Sequence, residues 1–369
     1  MTDNSPPIYE MALSRVRGIR FSTIQKLIQQ LGKAEAVFRA SVSTLLQIEE
    51  IGPATVRAIK TFQDFSLMEK EWEKLQKKNI QVLFFTHPAY PRRLLHCADA
   101  PPLLFYKGKA DLNAGKMLAV VGSRQASDYG KEWTRRVIED LRAEGVVIVS
   151  GLAHGIDAVA HQAAMDNGLP TIGVMAHGFS RVYPLLHHRL AEQMTEQGGL
   201  LTEYYLQDPF APYNFPARNR IVAGLCDALL VTETGVKGGA MITCKLAASY
   251  HRDVFALPGR IGDLMSTGCH FLIKTHQAGL IESGVDILQA MNWEPAAMKA
   301  PVRQQRLAID LPPDEQEIFT LLGEGEKDID ELLIRSGQTP GKLSGILLQM
   351  ELAGYIASLP GKRYQRNAV

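Results

Sequence analysis

Three short apolar segments of the sequence each end in a glycine-containing loop, and a helix-like segment follows each loop. Met117–Val121 ends at Gly122, Val146–Val149 ends at Ser150-Gly151, and Leu229–Thr232 leads into a loop that runs to Gly239. Repeated strand, loop and helix units with short connections predict a doubly wound parallel sheet. Ligands of such sheets bind at the carboxyl ends of the strands, where backbone N–H groups at helix N-termini attract anions. The sequence therefore predicts a phosphate-binding edge in an α/β domain.

The chain of 369 residues divides into four parts by pattern and composition. Residues 1–79 are mostly helical by pattern, and residues 80–295 alternate strand-like and helix-like segments. Residues 296–310 contain Pro and Ala without a periodic face, which indicates a linker, and residues 311–369 have the helices and hairpin of a winged helix. We therefore expect an α/β fold with a doubly wound parallel sheet. An N-terminal all-helical domain and a C-terminal winged-helix-like domain flank it.

The two flanking domains carry less specific signals. An apolar-Gly turn opens an amphipathic helix at Gly18 and again at Gly52. A helix-hairpin-helix presents backbone N–H groups to a phosphate in this way, and a plain turn between packed helices is the alternative. The helix predicted over residues 340–352 carries Lys342 as its only basic residue. A major-groove reader usually shows more Arg, Asn or Gln, so we favour a packing or protein-interaction role for it.

Composition argues against several classes of protein. The formal net charge is +1, so any binding of nucleic acid must come from local charge. No apolar run approaches about 18 residues and the first residues have no signal-peptide pattern, so we expect a cytoplasmic protein without a membrane segment. The four cysteines are widely spaced, which fits reduced thiols and not a disulfide frame or a zinc site. Without a P-loop, a dinucleotide fingerprint or a nucleophile elbow, we expect no cofactor and no catalytic role.

The first glycine loop, Gly122-Ser123-Arg124, has the residue types of a phosphate site. Gly122 allows a tight turn, Ser123 can donate a hydrogen bond to an anion, and Arg124 can bind a phosphate through two nitrogens. A surface turn with a solvated arginine is the alternative.

A second charged segment, residues 214–220, lies between a Pro-rich loop and an apolar helix. Arg218 and Arg220 are predicted to open that helix, where two cations oppose the helix dipole and an anion between them would offset the repulsion. Aromatic side chains nearby could stack on bases; they are Phe210, Tyr213 and Phe215. The alternative is that the aromatic residues are core and that the arginines pair with Glu203 and Glu233.

His154, Asp157 and His161 are close in sequence and contain metal-ligating groups. His154 falls in a loop, while Asp157 opens a helix, where a carboxylate is favoured by the dipole. We therefore favour capping and packing over a metal site.

Taken in order, these motifs resemble the DNA-processing protein A family (DprA, also called Smf). The resemblance rests on residues 120–124, 150–157, 183–184, 215–220 and 253–259, with Gly268-Cys269, and covers about residues 80–285. It implies a cytosolic bacterial protein that binds single-stranded DNA on an extended Rossmann-like doubly wound parallel sheet. It also implies a homodimer that loads the RecA recombinase onto incoming DNA in natural transformation. The candidate nucleic-acid-binding residues are Gly122, Ser123, Arg124, Gly151, Phe215, Arg218, Asn219, Arg220, Lys237 and Gly239.

The sequence departs from the family pattern at three positions. Gly238 stands where the family commonly has serine, His154 replaces a common arginine, and Leu185 stands where lysine is frequent. Each departure removes a donor or a charge from the expected pocket, and Arg181 and Arg189 are candidates to compensate.

An enzyme class offers the alternative function. Lysine-decarboxylase-like phosphoribohydrolases have a similar sheet and cleave nucleoside monophosphates. They carry Pro-Gly-Gly-x-Gly-Thr followed by glutamate in the third loop. Here residues 234–240 lack that pattern and no glutamate follows the glycines. An assay for ribose phosphate release from AMP separates the two functions.

Overall fold

The computed structural model describes residues 6–293, 311–359 and 361–367. It forms two compact units, Met1–Glu294 and Pro295–Val369. The predicted linker, residues 296–310, lies outside the described residues.

The first unit begins with six helices. They are α1 Ile8–Arg15, α2 Phe21–Leu31, α3 Ala34–Arg39, α4 Val42–Leu46, α5 Pro53–Lys60 and α6 Phe65–Lys77. Gly18, at φ 76°, lies in the turn before α2, and Gly52 precedes Pro53 at the first position of α5. Proline is favoured there because its missing N–H would have no helical acceptor. The apolar faces of these helices share a core with Val82 and Phe105 of the neighbouring sheet.

The sheet of the first unit has nine strands. They are β1 Gln81–Phe84, β2 Leu103–Gly108, β3 Met117–Val121, β4 Val147–Ser150, β5 Thr171–Val174, β6 Gly199–Thr202, β7 Ala228–Val231, β8 Asp253–Ala256 and β9 Gly279–Leu280. Their order is β1-β2-β6-β5-β4-β3-β7-β8-β9. Neighbours from β6 through to β9 pair in parallel, whereas β1 and β2 extend the sheet with antiparallel pairs. The predicted Rossmann-like fold is confirmed, and the antiparallel pair is its extension.

Helices cover both faces of this sheet. They are α7 Asp128–Asp140, α8 Ile156–Asp166, α9 His188–Gln197, α10 Asn214–Leu225, α11 Gly239–Ser249, α12 Thr267–Lys274 and α13 Gly284–Ala290. All five residues of β3 are buried, as expected for a central parallel strand packed on both faces. Separate apolar cores lie on the two faces. The chain order reverses at β3, which has β4 on one side and β7 on the other.

The second unit is a small winged helix, as the sequence predicts. Its elements are α14 Pro313–Leu321, β10 Lys327–Asp328, α15 Ile329–Ser336, α16 Pro340–Leu352, β11 Ile356–Leu359 and β12 Arg363–Arg366. The strands pair in the order β10-β12-β11. Ile318, Leu332, Leu343 and Met350 are buried between its helices.

Neither unit contains a helix that could cross a bilayer, as far as the described residues go.

Candidate nucleic-acid interface

A cleft of about 650 Å³ opens at the carboxyl ends of β3, β4 and β7. This is the point at which the strand order reverses, where open α/β sheets bind ligands. Loops after the three strands form its walls together with α10 and the start of α11. The lining residues are Val121, Gly122, Ser123, Arg124, Gln125, Gly151, Ala153, Asp157, Arg218, Asn219, Val222, Thr234, Gly235, Gly238, Gly239, Ala240, Thr243 and Met265. Tertiary structure therefore brings together seven of the ten candidate residues: Gly122, Ser123, Arg124, Gly151, Arg218, Asn219 and Gly239.

The loop after β3 is held in place by its neighbours. The Ser123 N–H donates to the Glu233 carbonyl oxygen at 2.7 Å, and the Ser123 carbonyl accepts from the Ile156 N–H at 3.1 Å. A Cβ atom on Gly122 would lie 2.8 Å from Cβ of Ile156, so only glycine fits between these two loops. The next residue, Arg124, is exposed at the mouth of the cleft. The hydrogen-bonded loop thus presents an exposed cation at the cleft.

Arg218 lies at the floor of the cleft and is 4% exposed. Its guanidinium donates to the carbonyl oxygens of Gly151 and Val174. A Cβ atom on Gly151 would lie 2.6 Å from the guanidinium carbon, so glycine at 151 makes room for the arginine. Burial lowers the pKa of Arg218 to about 10, and the charge of Asp157 opposes that shift. The side chain therefore stays charged at neutral pH and ties β4, β5 and α10 together.

Asp157 is the buried acidic neighbour of Arg218. Burial raises the pKa of this carboxyl group, while the Arg218 charge and hydrogen bonds from backbone N–H groups lower it. One of these bonds comes from the Ala153 N–H at 3.3 Å. Asp157 therefore closes the loop before α8, as the capping interpretation predicts.

Arg220 has a protein partner away from the cleft. It pairs with the Glu203 carboxylate and donates to the Asp99 carbonyl oxygen at 2.7 Å. Burial raises the pKa of Glu203 and the Arg220 charge lowers it. Arg220 is not among the residues that line the cleft. The structure thus favours the pairing with Glu203 that the sequence left as the alternative.

The predicted start of α10 was wrong. The helix begins at Asn214, so Arg218 and Arg220 are its fifth and seventh residues and do not face the positive end of the dipole. Pro216 occupies the third position, where the N–H it lacks would have no helical acceptor. The dipole argument for an anion between the two arginines therefore does not apply.

Aromatic side chains form a cluster beside the cleft. The ring centroids of Tyr183, Phe210 and Phe215 are 4.9 to 5.6 Å apart. Tyr183 is 47% exposed, and the two phenylalanines are half-buried. The Arg124 guanidinium lies 5.5 Å from the Phe215 centroid, and that of Arg181 lies 5.7 Å from the Phe210 centroid. The cluster therefore offers ring surface and two cations along one wall.

The third loop leads into α11, whose first residues line the cleft. First-turn N–H groups have no intrahelical acceptor and attract anions. A Cβ atom on Gly238 would collide with the Thr234 hydroxyl and lie 3.0 Å from the Gly235 carbonyl oxygen. Glycine at 238 is therefore matched to Thr234, which gives this departure a local cause. Lys237 is exposed and lies outside the lining of the cleft.

Sequence reasoning missed the role of Glu233. Its side chain is 2% exposed, and its carboxylate accepts from the Ser127 N–H at 2.9 Å at the start of α7. Among the described residues it forms no ion pair with an arginine, which was the alternative that the sequence left open. Its position just after β7 could have indicated this role, because a carboxylate there lies at the same sheet edge as the loop after β3. Glu233 therefore joins two walls of the cleft.

His154, Asp157 and His161 do not converge on a metal. Among the described residues no group of three or more His, Cys, Asp or Glu could hold a metal ion. His154 is exposed and its ring lies 5.0 Å from that of His187. His161 is fully buried, and its Nδ1 lies 2.7 Å from the Thr171 hydroxyl. The same hydroxyl lies 3.0 Å from the Ile148 carbonyl oxygen, so these groups connect α8 with β4 and β5.

We expect His161 to make stability depend on pH. Burial, with smaller effects from His187 and Arg218, lowers the pKa of His161 from 6.5 to about 3. The unfolded chain therefore takes up a proton first, and this contribution to stability is present above pH 6.5 and is lost as pH falls. Between about pH 7 and about pH 5 the unfolding free energy should fall by about 2 kcal/mol more than in His161→Asn. Urea unfolding measures this, with His188→Asn, which alters a 56% exposed ring, as the control. Equal pH dependence in wild type and His161→Asn would contradict it.

Comparisons of sequence identify relatives over most of the chain. The profile of the family described as DNA recombination-mediator protein A matches residues 81–292, and that of the DprA winged helix domain matches residues 302–362. Protein Smf of Escherichia coli is 38% identical over 317 residues, covering 83% of this chain and 83% of that protein. DNA processing protein DprA of Streptococcus pneumoniae is 43% identical over 225 residues, covering 61% of this chain and 77% of that protein.

Solved structures show the same architecture. DNA processing protein A from Streptococcus pneumoniae superposes with a TM-score of 0.66 at 37% identity, covering 76% of this chain and 97% of that chain. DNA processing protein A from Helicobacter pylori, which binds single-stranded DNA, superposes with a TM-score of 0.53 at 27% identity. It covers 58% of this chain and 95% of its own.

Proposed function

Because this chain belongs to the DNA recombination-mediator protein A family, we propose that it binds single-stranded DNA along the carboxyl ends of β3, β4 and β7. One observation carries the proposal. The exposed Arg124 lies over the Phe215 ring at the mouth of a glycine-lined cleft. A cation and a ring side by side suit the alternating phosphates and bases of a single strand. The Helicobacter pylori relative supports it, since it binds this ligand.

In this proposal some of the residues contact DNA and the others support the site. Backbone groups of Gly122 and Gly239, the Ser123 hydroxyl and the Arg124 side chain bind phosphates, because glycine lets a phosphate approach the main chain. Phe215 stacks on bases. Gly151, Arg218 and Asn219 shape the floor, Lys237 is an outer cation, and Arg220 positions α10 through Glu203.

We expect tighter binding to a single strand than to a duplex of equal length. The aromatic cluster contacts faces of bases, which are stacked inside a duplex, and α16 carries one basic residue, which pairs with Asp314. Fluorescence anisotropy with both forms of one sequence at fixed salt measures the ratio. Because phosphates and stacking carry little sequence information, several base compositions should give similar affinities. Equal or tighter binding to the duplex would contradict the proposal.

We further propose a cytoplasmic role in DNA recombination, with loading of the RecA recombinase onto DNA during natural transformation. Family membership supports this role. The test is whether the protein shortens the lag of RecA filament assembly on DNA coated with single-strand-binding protein. An Arg124→Ala variant should lose that effect. A wild-type protein without effect on the lag contradicts this role and leaves DNA binding intact.

We also propose a homodimer in which the free edge of the sheet meets its copy. Strand β9 pairs with β8 on one side, and Leu280 on it is 51% exposed. Phe271 of α12 is 41% exposed. Isologous pairing of two such edges would cover both side chains and give the edge strand's backbone N–H and C=O groups hydrogen-bond partners. Sedimentation equilibrium should show a dimer at micromolar concentration and a monomer for Leu280→Asp. A wild type that stays monomeric overturns this proposal.

No feature of the cleft favours the phosphoribohydrolase alternative, and we propose that the protein is not an enzyme. Its third loop lacks the required pattern, and Glu233 is bonded within the protein. Release of ribose phosphate from AMP would contradict this.

A further inference from the structure

The loop after β8 displays apolar side chains on an ordered frame. Ile261 is 99% exposed and Leu264 is 81% exposed. The frame is built by turns: the Asp263 N–H donates to the Arg260 carbonyl at 3.2 Å, and the Ser266 N–H donates to the Asp263 carbonyl at 3.1 Å. The Asp263 carboxylate accepts from the Met265 N–H at 3.0 Å. The loop therefore holds these two apolar side chains in water through its own backbone geometry.

This loop adjoins the DNA cleft. Its Met265 lines the cleft, with its sulfur 3.9 Å from the Ser123 hydroxyl. A Cβ atom on Gly235 would lie 3.8 Å from the Leu264 carbonyl oxygen, so the loop after β7 runs beside it. That neighbouring loop exposes Val236, at 50%. Val236, Ile261 and Leu264 thus form an exposed apolar area next to the wall of the cleft.

Cations accompany the apolar residues. Lys237 and Arg260 are exposed, and the Arg260 guanidinium lies 5.3 Å from the Tyr129 ring centroid. Neither forms an ion pair with any of the residues that the structure describes. The carboxylates nearby interact with neighbours in their own segments. Asp263 accepts a hydrogen bond within its own loop, and Asp128 pairs with Lys131. The surface is therefore apolar and net positive, which complements bases and phosphates.

We propose that Val236, Lys237, Arg260, Ile261 and Leu264 form an exit platform, a second contact area for the DNA strand as it leaves the cleft past β8. The inference rests on the proposed function and extends it. Ile261 and Leu264 contact faces of bases, as isoleucine and leucine do when they wedge between base steps in other nucleic-acid complexes. Lys237 and Arg260 contact the adjoining phosphates.

The platform and the aromatic wall lie on opposite sides of β3. The aromatic wall adjoins the loops after β4 and β5, whereas Ile261 and Leu264 follow β8, and the sheet order is β5-β4-β3-β7-β8. From β5 to β8 the sheet crosses four inter-strand spacings of about 4.8 Å each. We expect a short strand anchored on the aromatic wall to leave the platform uncovered and a longer one to pass over it. Length dependence of binding is the signature of the platform.

The test compares oligonucleotides of about 6 and about 16 nucleotides, within the range of site sizes known for single-strand binding folds. The double variant Ile261→Ser/Leu264→Ser should bind the longer strand about tenfold more weakly and the shorter strand as the wild type does. Both side chains are exposed, so the variant should keep the wild-type melting temperature. Ile334→Ser removes an 81% exposed isoleucine from the second unit and should change neither affinity.

Crosslinking gives a readout independent of affinity. All four native cysteines are buried, and burial raises the pKa of each thiol. An Ile261→Cys thiol can therefore be labelled selectively with a benzophenone. The label should crosslink to the longer strand and not to the shorter one.

The outcomes separate this inference from the proposed function. A double variant that binds both strands as the wild type does, with no crosslink at 261, overturns the platform while DNA binding stands. A wild type that binds neither strand overturns both. A variant that keeps full affinity for DNA but fails to assemble with a second copy or with the recombinase assigns the surface to a protein and overturns the platform.

Discussion

Arg218→Ala is expected to lose about 3 to 5 kcal/mol of unfolding free energy, because it removes a buried positive charge that stabilises the buried Asp157 carboxylate. Arg218 is 4% exposed and Asp157 is 8% exposed. Its loss also leaves the buried carbonyl groups of Gly151 and Val174 without this hydrogen-bond donor. Urea unfolding measures the change as a shift of the midpoint at constant slope.

Two further variants identify the cause of the loss. Asp157→Leu combined with Arg218→Met should recover part of the stability, since replacing both charges removes the uncompensated carboxylate. Arg135→Ala removes a 55% exposed arginine from α7 and should change stability little. An Arg218→Ala protein as stable as the wild type would show that the guanidinium is free for a ligand, as the sequence had predicted.

Arg124→Ala is expected to weaken binding of single-stranded DNA about tenfold at low salt while leaving the melting temperature unchanged. Arg124 is exposed and forms no ion pair within the described residues, so the folded protein loses only its contact with Phe215. Each phosphate contact on a single strand contributes about −0.7 to the slope of log affinity against log salt. The variant should therefore flatten that slope by about 0.7.

Arg220→Ala is the matched comparison. Because Arg220 pairs with Glu203, its removal should lower the melting temperature and keep the wild-type salt slope. Measuring melting temperature and salt slope on the same samples distinguishes a phosphate contact from a structural arginine. An unchanged slope in Arg124→Ala, or a flattened slope in Arg220→Ala, would reverse the two roles.

The order of strands and helices could be predicted because its signals are local. The apolar run Met117–Val121 matches β3 residue for residue, and the helix predicted over 340–352 matches α16. Hydrophobic periodicity and turn residues act within a few positions, so they can be recognised in a single sequence. The start of α10 differs from the prediction because proline, which usually ends a helical pattern, is tolerated in a first turn, where Pro216 lies. The two-residue strand β9 has too few residues for an alternating pattern.

The sequence alone determined that glycine loops end apolar strands and that Gly122, Gly151 and Arg124 lie at one edge of the sheet. The tertiary structure decided which partner each charged group has. Arg220 pairs with Glu203, Arg218 with main-chain carbonyls beside Asp157, and Glu233 with the start of α7. The order β4-β3-β7 brings these segments together from distant parts of the chain. Burial at that junction makes an unpaired charge costly, so each charged group pairs with whichever group the fold brings close to it. Neither the distances between these groups nor their burial can be predicted from neighbouring residues in the sequence.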